Sequence, residues 1–527
     1  MTRRGNRRLR RSGPAAVAGT DRGVIVHPTP TPATEPRSPN GDRPHRTGAV
    51  LYTLSSLLLL AGLFMGSGIL VALIYGERQA VIAFGVSAGV ALLCALSGFL
   101  GFRPFRDATL LTRDGFLVVV LSWLVISAFG ALPYVISGSI PSYTDAFFET
   151  MSGFTTTGAT LLTDIESLPR SVLFWRSLTQ WLGGMGIVVL TVAILPRLGI
   201  GGLKLMRSEA PGPTLEKLTP RVAGTAKILW LIYLGLTVLE AALLLAGGLP
   251  LFDAVTHTFS TIATGGFSPR AASVGAYGSA FVDAVVTVFM LLAAVNFSLY
   301  FQAMRGRPGK LLGNLEVRTF IGIYVVAAAV VTLSVTGPVY QSLGEGLRFG
   351  AFQAASLLTG TGFTTADYDA WPTLARAVLL VIMLIGGCAG STAGGIKVIR
   401  VVTLFRQALN EFKFLIHPQG IFTLRIGDRR VKKDILYPVA MFFFLYIGLV
   451  LLTTLIVAGS SPDLATAVST GLATVGNVGP GFGAIGPTEN YAFYPAAVKW
   501  WLSFAMLTGR LEVYSVLVLL TVTFWRR

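Results

Sequence analysis

Four short stretches rich in Thr and Gly are the part of this sequence best suited to chemistry: Met151–Thr160 (MSGFTTTGAT), Ser260–Phe267 (STIATGGF), Leu358–Thr365 (LTGTGFTT) and Thr474–Phe482 (TVGNVGPGF). Aligned on one glycine each, they place Gly158, Gly265, Gly362 and Gly479 at intervals of 107, 97 and 117 residues. The triplets ending at these glycines are Thr156-Thr157-Gly158, Ala263-Thr264-Gly265, Gly360-Thr361-Gly362 and Asn477-Val478-Gly479. None contains a carboxylate. Their shared resource is the backbone carbonyl, which can replace part of a cation's water shell. Glycine suits that task because it reaches conformations closed to other residues and lets the chain approach an ion closely. Neutral oxygens suit a monovalent cation, whereas Ca²⁺ or Mg²⁺ would call for carboxylates. A lone loop of this kind is most often an ordinary turn or a close helix contact. Four at repeated spacing lead us to expect that they meet around one axis and form an ion filter.

A second candidate is Gly386-Gly-Cys-Ala-Gly-Ser-Thr-Ala-Gly-Gly395, followed by Ile396 and Lys397. Gly386, Gly387, Gly390, Gly394 and Gly395 each disfavour a helix by about 1 kcal/mol against Ala, so they break the apolar run that contains them. The phosphate-loop pattern is absent, because Ile396 separates Gly395 from Lys397. Close helix packing is one reading; the favoured one is a mobile gate below the filter, since broken helices at membrane depth mark ion paths. Arg510 lies inside the last apolar run. Three readings are open: a pore-facing electrostatic barrier, a hydrogen-bond donor to the 386–395 loop, or a snorkelling side chain at the inner interface. Glu512 is two residues away and points to a different helix face. Glu240 is a membrane-embedded carboxyl without an evident partner, and His257 reads as a packed side chain rather than a proton carrier. No Ser/His/Asp grouping, His/Glu metal spacing or nucleotide fingerprint supports an enzyme.

The elements that must position these residues follow from composition. The chain has 527 residues, 53% of them hydrophobic and only 13% charged, against about 25% charged in soluble proteins. The apolar residues gather in blocks long enough to cross a bilayer. The net charge of +17 concentrates in the Arg-rich N-terminal segment and in alternate loops. It therefore reports positive-inside topology and not nucleic acid. Cys94 and Cys388, the two cysteines, fall in apolar or Gly-rich segments and suggest neither a disulfide framework nor a Cys-based metal site. Residues 1–48 read as a disordered basic cytoplasmic tail, too poor in large apolar groups to fold; its basic residues could also meet anionic lipid.

Residues 49–113 form a two-helix hairpin, with runs at 49–75 and 80–102. A unit of span, short amphipathic run, Gly/Thr loop and second span then repeats over 114–224, 225–315, 316–434 and 435–527. The short runs, 143–155, 252–262, 346–359 and 462–474, cannot cross a bilayer and read as re-entrant helices. Asp145, Asp253 and Asp463 are the expected N-caps of three of them. Ten spans in total put both termini in the cytoplasm. The stretch 401–434 is long and amphipathic in part, and is expected to hold an interfacial or cytoplasmic helix. The fold class is thus an all-α polytopic membrane protein with four pseudo-symmetric M1–P–M2 pore units around a central ion pathway.

The four loops, the glycine loop and Leu507-Thr-Gly-Arg-Leu-Glu512 resemble the Trk/Ktr/HKT superfamily of potassium transporters. Further likeness lies in Pro220-Arg-Val-Ala-Gly-Thr-Ala-Lys227 and Trp230-Leu-Ile-Tyr233. The resemblance covers about residues 49–527, and the leading hairpin favours the Trk-type branch. It implies potassium uptake across a bacterial cytoplasmic membrane by a homodimer. It also implies control by a cytosolic ring of Rossmann-fold, nucleotide-binding, TrkA-like subunits. In plant relatives, Ser at the first filter glycine accompanies sodium selectivity; Gly at all four positions here implies potassium. The fourth triplet departs from the others, with Val478 before its glycine. A reading from another class, a receptor or assembly subunit with purely structural loops, predicts no ion flux and no reason for the fourfold spacing.

Overall fold

Long runs of Leu, Val, Ala and Ile fold into helices because in a bilayer each backbone N–H and C=O must be satisfied within its own segment. The computed structural model describes residues 43–106, 108, 110, 112–186, 222–420, 422–426, 429–430 and 433–526. Among these, six helices are long and apolar enough to cross a membrane: Arg46–Ile74, Arg78–Gly101, Arg113–Ile136, Ala226–Ala246, Leu315–Val335 and Leu436–Ala458. The chain is an all-helical, multi-pass membrane protein. Its only strands among the described residues are a two-residue antiparallel ladder, Arg425–Ile426 with Arg429–Arg430. Most of the expected tail and the basic loop 196–227 lie outside the described residues; helix nonetheless begins at Arg43, ahead of the expected boundary.

The first two helices, α1 (Arg43–Ile74) and α2 (Arg78–Gly101), form the expected hairpin. Glu77 at its turn accepts hydrogen bonds from the backbone N–H groups of Arg170 (2.6 Å) and Ser171 (3.0 Å). A carboxylate thereby satisfies the free N–H groups and the positive dipole end of a helix that begins after Pro169.

Each following unit begins with a membrane-length helical run and a short helix. In unit one Pro133 divides the run into α3 (Thr112–Gly130) and α4 (Leu132–Ile136), and the short helix is α5 (Tyr143–Phe154). Unit two has α7 (Val222–Ala246) and α8 (Leu251–Ile262), after α6 (Arg170–Gly184) closes unit one. The second helix of unit two is bent: α9 (Ala280–Ala293) and α10 (Phe297–Met304) meet at 95°. Unit three has α11 (Leu315–Val335), α12 (Leu343–Thr359) and α13 (Thr373–Met383), then a loop and α14 (Val398–Ile416). Unit four has α15 (Lys433–Ala458), α16 (Leu464–Val475), α17 (Ala496–Arg510) and α18 (Tyr514–Leu520).

Two expectations change. The second spans of units two and four are not continuous helices: they break at 294–296 and 511–513, while that of unit three breaks at 384–397, where its glycine run is expected to interrupt the helix. The break in unit four runs through Glu512 and Val513, both with positive φ (56° and 58°). In unit one the helix ends at Gly184, and most of the expected remainder of that span lies outside the described residues. The N-caps also differ. Ser142 and Ser342 cap α5 and α12, Asp463 caps α16, and Pro250 precedes α8 without a side-chain cap. Asp145 and Asp253 sit one turn inside and are engaged elsewhere: Asp145 with Lys499 at 2.8 Å, Asp253 with Arg270 at 2.9 Å.

The units close on one another. Each short helix packs on its own unit's first helix, and α5, α8 and α12 also pack on the preceding second helix, α17, α6 and α9 respectively. Because α17 belongs to unit four and α5 to unit one, the last unit meets the first. The Lys499–Asp145 pair joins them, and Arg348–Asp283 (2.7 Å) joins units three and two in the equivalent place.

Candidate functional site

The four short helices deliver their C-terminal ends to the Thr/Gly loops. In each loop one backbone N–H reaches back five residues: Thr157 to Ser152 O, Gly265 to Ser260 O, Thr361 to Ser356 O and Val478 to Ala473 O, all at 2.8–2.9 Å. That pattern sets the structural register. The residue before each donor has positive φ: Thr156 (52°), Thr264 (53°), Gly360 (72°) and Asn477 (54°). So does the residue after it: Gly158 (79°), Gly266 (77°), Gly362 (81°) and Gly479 (90°). The aligned glycine of the second unit is therefore Gly266, not Gly265. The triplet there is Thr264-Gly265-Gly266, and Ala263 caps the end of α8 instead. The sequence offered two adjacent glycines, and only the backbone conformation separates them.

The loops form a closed ring. A Cβ on Gly158 would strike Gly265 O; on Gly266, Thr361 O; on Gly362, Val478 O; on Gly479, Thr157 O. Each of these glycines is thus pressed against the backbone of the next unit, and the fourth against the first. Positive φ and close backbone contact together leave no room for a side chain. The four glycines line one cavity of about 110 Å³, with Arg176, Arg270 and Glu489 also in its wall.

Side chains that the sequence reading passed over hold the ring. Glu149 on α5 is fully buried and pairs with Arg176 on α6 at 2.8 Å. The carboxylate also accepts from Leu161 N (3.0 Å) and Thr160 Oγ1 (2.9 Å), and Arg176 Nη1 donates to Ser268 O of the second loop (3.2 Å). Gln180 donates to Gly265 O (2.6 Å) and accepts from Phe267 N (3.0 Å). Asn477 Nδ2 donates to Thr157 Oγ1 and to Met506 O, both at 2.9 Å, which ties units four and one. Tyr491 O–H donates to Gly479 O (2.6 Å). A signal was available: an acid and a base inside apolar segments must each find a partner.

The glycine loop lies against this ring at the C-terminal ends of α8 and α16. A Cβ on Gly394 would strike Gly476 O, and Thr392 Oγ1 donates to Ile262 O at the end of α8 (3.0 Å). Gly386, Gly390 and Gly395 have φ near +75°. Gly387 has no room for a Cβ beside Ala294 and Ala393, and Lys397 (φ 75°) turns its ammonium back onto Ala393 O. Arg510 donates to Thr392 O (2.7 Å), Gly183 O (2.9 Å) and Gly184 O (3.1 Å). Of the three readings of Arg510, this geometry matches the hydrogen-bond donor. It also satisfies the carbonyl end of α6, where a cation is favoured. Glu512 pairs with Arg400 on α14. His257 is packed, with Nδ1 at 2.9 Å from Asp253 O and Nε2 at 3.2 Å from Ser268 Oγ. Glu240 is buried, and neither carboxyl oxygen has a hydrogen-bond partner.

Residues 83–525 match the family described as TrkH, cation transport protein. The Trk system potassium uptake protein TrkH of Salmonella typhimurium is 44% identical over 476 residues, covering 89% of this chain and 98% of that protein. The corresponding protein of Halomonas elongata is 42% identical, covering 91% and 99%. Among solved structures, the crystal structure of the potassium transporter TrkH from Vibrio parahaemolyticus superposes with a TM-score of 0.82 at 39% identity. It covers 91% of this chain and all of that one.

Proposed function

The chain belongs to the TrkH family of cation transport proteins, and from that premise we propose that it takes up potassium through a selectivity filter made by the four-loop ring. The family is one of transporters rather than enzymes. The observation that carries the reading is the closed ring of Gly158, Gly266, Gly362 and Gly479 around one cavity. The filter triplets are Thr156-Thr157-Gly158, Thr264-Gly265-Gly266, Gly360-Thr361-Gly362 and Asn477-Val478-Gly479. Their carbonyls, presented at the C-terminal ends of four short helices, offer partial negative charge to a cation. The absence of carboxylates from the triplets favours a monovalent ion over a divalent one.

The 386–397 loop, braced by Lys397 and Arg510, acts as the gate on the inner side of the filter. Opening requires the loop to leave Gly476 and Ile262, and breaks the Arg510 hydrogen bonds. The protein works as a homodimer in the cytoplasmic membrane with both termini inside. A cytosolic Rossmann-fold nucleotide-binding subunit controls the gate. The name of the relatives as parts of a Trk system supports a partner of that kind.

The test is Rb⁺ uptake in cells lacking their own potassium transport, with Gly158→Ser and Gly362→Ser alongside the parent. Parental protein restores uptake, and both variants lose it or lose preference for K⁺ over Na⁺. Unchanged uptake and preference in both would sink the filter assignment.

A further inference from the structure

The glycine loop is held on its carbonyl side by cations: Arg510 on Thr392 O and Lys397 on Ala393 O. On its N–H side, beside the backbone hydrogen bonds from Cys388 N to Ala294 O (2.8 Å) and Thr392 N to Ala293 O (3.4 Å), it meets one anion from another element. Glu316, in the first turn of α11, is 8% exposed. Its Oε1 accepts from Ala389 N at 2.7 Å and from Ile399 N at 3.1 Å. Ala389 lies near the start of the loop, and Ile399 lies in the first turn of α14, which leaves the loop toward the far end at Ile416. One carboxylate oxygen thus bridges the two limbs of the loop. Asn314 fixes its approach by capping α11 through Glu316 N and Val317 N (2.9 and 3.2 Å).

We propose that Glu316 is the positioning residue that latches the intramembrane loop shut and couples it to α14, so that displacement of α14 releases the loop. The inference rests on the gate reading above. Hydrogen bonds from N–H to a carboxylate are charge-assisted and shorter than neutral ones. Backbone hydrogen bonds join the limbs at Lys397 N–Ile385 O (2.9 Å) and Val398 N–Gly387 O (3.1 Å), and the shared acceptor extends that link to Ala389 and Ile399: a displacement of Ile399 that draws Glu316 with it breaks the Ala389 hydrogen bond. α14 also packs on α11, and its distal residues Phe412, Leu415 and Ile416 are more than 60% exposed. A force applied there is carried along a rigid helix to Ile399.

The experiment uses the neighbouring thiol. Cys388 is fully buried, immediately before Ala389, and Cys94 is the other cysteine. In a full-length Cys94→Ala background, a charged, membrane-impermeant methanethiosulfonate reports loop opening at Cys388, while Rb⁺ flux in proteoliposomes reports the pathway. Glu316→Ala is expected to raise the Cys388 labelling rate and basal flux at least tenfold. Glu316→Asp, one methylene too short to reach both N–H groups, should raise labelling, and Glu316→Gln, which keeps the acceptor oxygen, should restore a rate near the parent's. Should the Ala protein fail to fold, the Asp and Gln pair carries the comparison. Parental labelling in folded Ala or Asp protein would overturn the latch. Raised labelling with parental flux would support the latch and overturn the gate reading on which it rests.

Discussion

Gly265 and Gly266 are neighbours of the same type, yet their backbones differ. Gly266 has φ of 77° and faces Thr361 O, whereas the Cβ position of Gly265 faces the side-chain amide of Gln180 and its φ is not positive. A left-handed conformation costs an ordinary residue roughly 1–2 kcal/mol, and a backbone collision adds to that. About 1.4 kcal/mol corresponds to a tenfold change. Gly266→Ala is therefore expected to lower Rb⁺ flux at least tenfold or to erode K⁺/Na⁺ preference. Gly265→Ala, which presses only on a side chain, should cost less. The reverse order would restore the register that the sequence suggests. Residues that act through backbone shape were legible as a pattern of Thr and Gly, but not to the single position. Glu149, Arg176, Gln180 and Glu316 were not legible as a group. Arg176 and Gln180 share α6, but Glu149 and Glu316 lie on other helices, and only the fold brings each to its partner.

Helices show the same division. The short helices and the first helix of each unit were readable from apolar run length, because a bilayer imposes that length directly. Whereas five glycines signal the break at 384–397 in unit three, the second helices of units two and four read as continuous spans but are broken at 294–296 and 511–513. Their apolar composition is preserved through most of each break, and helix ends there are satisfied by contacts from other units, as Arg510 satisfies Gly183 O and Gly184 O. Such contacts are invisible to a reading along one chain. At this scale the Asp145–Lys499 pair carries a prediction, since it joins α5 to α17 and so unit one to unit four. Lys499 is largely buried, with side-chain exposure of 9%, while Asp145 keeps 29%. Partly exposed pairs of this kind are worth about 1 kcal/mol or less when both partners are present. Removing one partner leaves the other charge poorly solvated. Asp145→Asn and Lys499→Met are each expected to lower the melting temperature in detergent. The double variant should be less destabilised than the sum, with a coupling of roughly 0.5–1 kcal/mol. Strict additivity would show that the pair contributes nothing to closing the ring.

At the scale of the molecule, the question is what drives the ion. The proposed filter is backbone and neutral side chains, and none of its triplets contains a titratable group. Buried ionisable groups beside it are committed to structure: Glu149 to Arg176 and two loop donors, His257 to Asp253 O and Ser268. A pathway of that composition moves charge without needing to move a proton with it. The membrane potential then supplies about 2.3 kcal/mol per unit charge per 100 mV, equivalent to roughly a fifty-fold accumulation at that voltage. Reconstituted protein held open, as the Glu316→Ala variant is expected to be, should accumulate Rb⁺ toward that ratio under an imposed potential. Collapsing a pH gradient should leave the plateau unchanged. Accumulation beyond the ratio set by the potential, or a plateau that falls with the pH gradient, would show coupling to protons. Glu240, buried on α7, would then be the first carboxyl to replace.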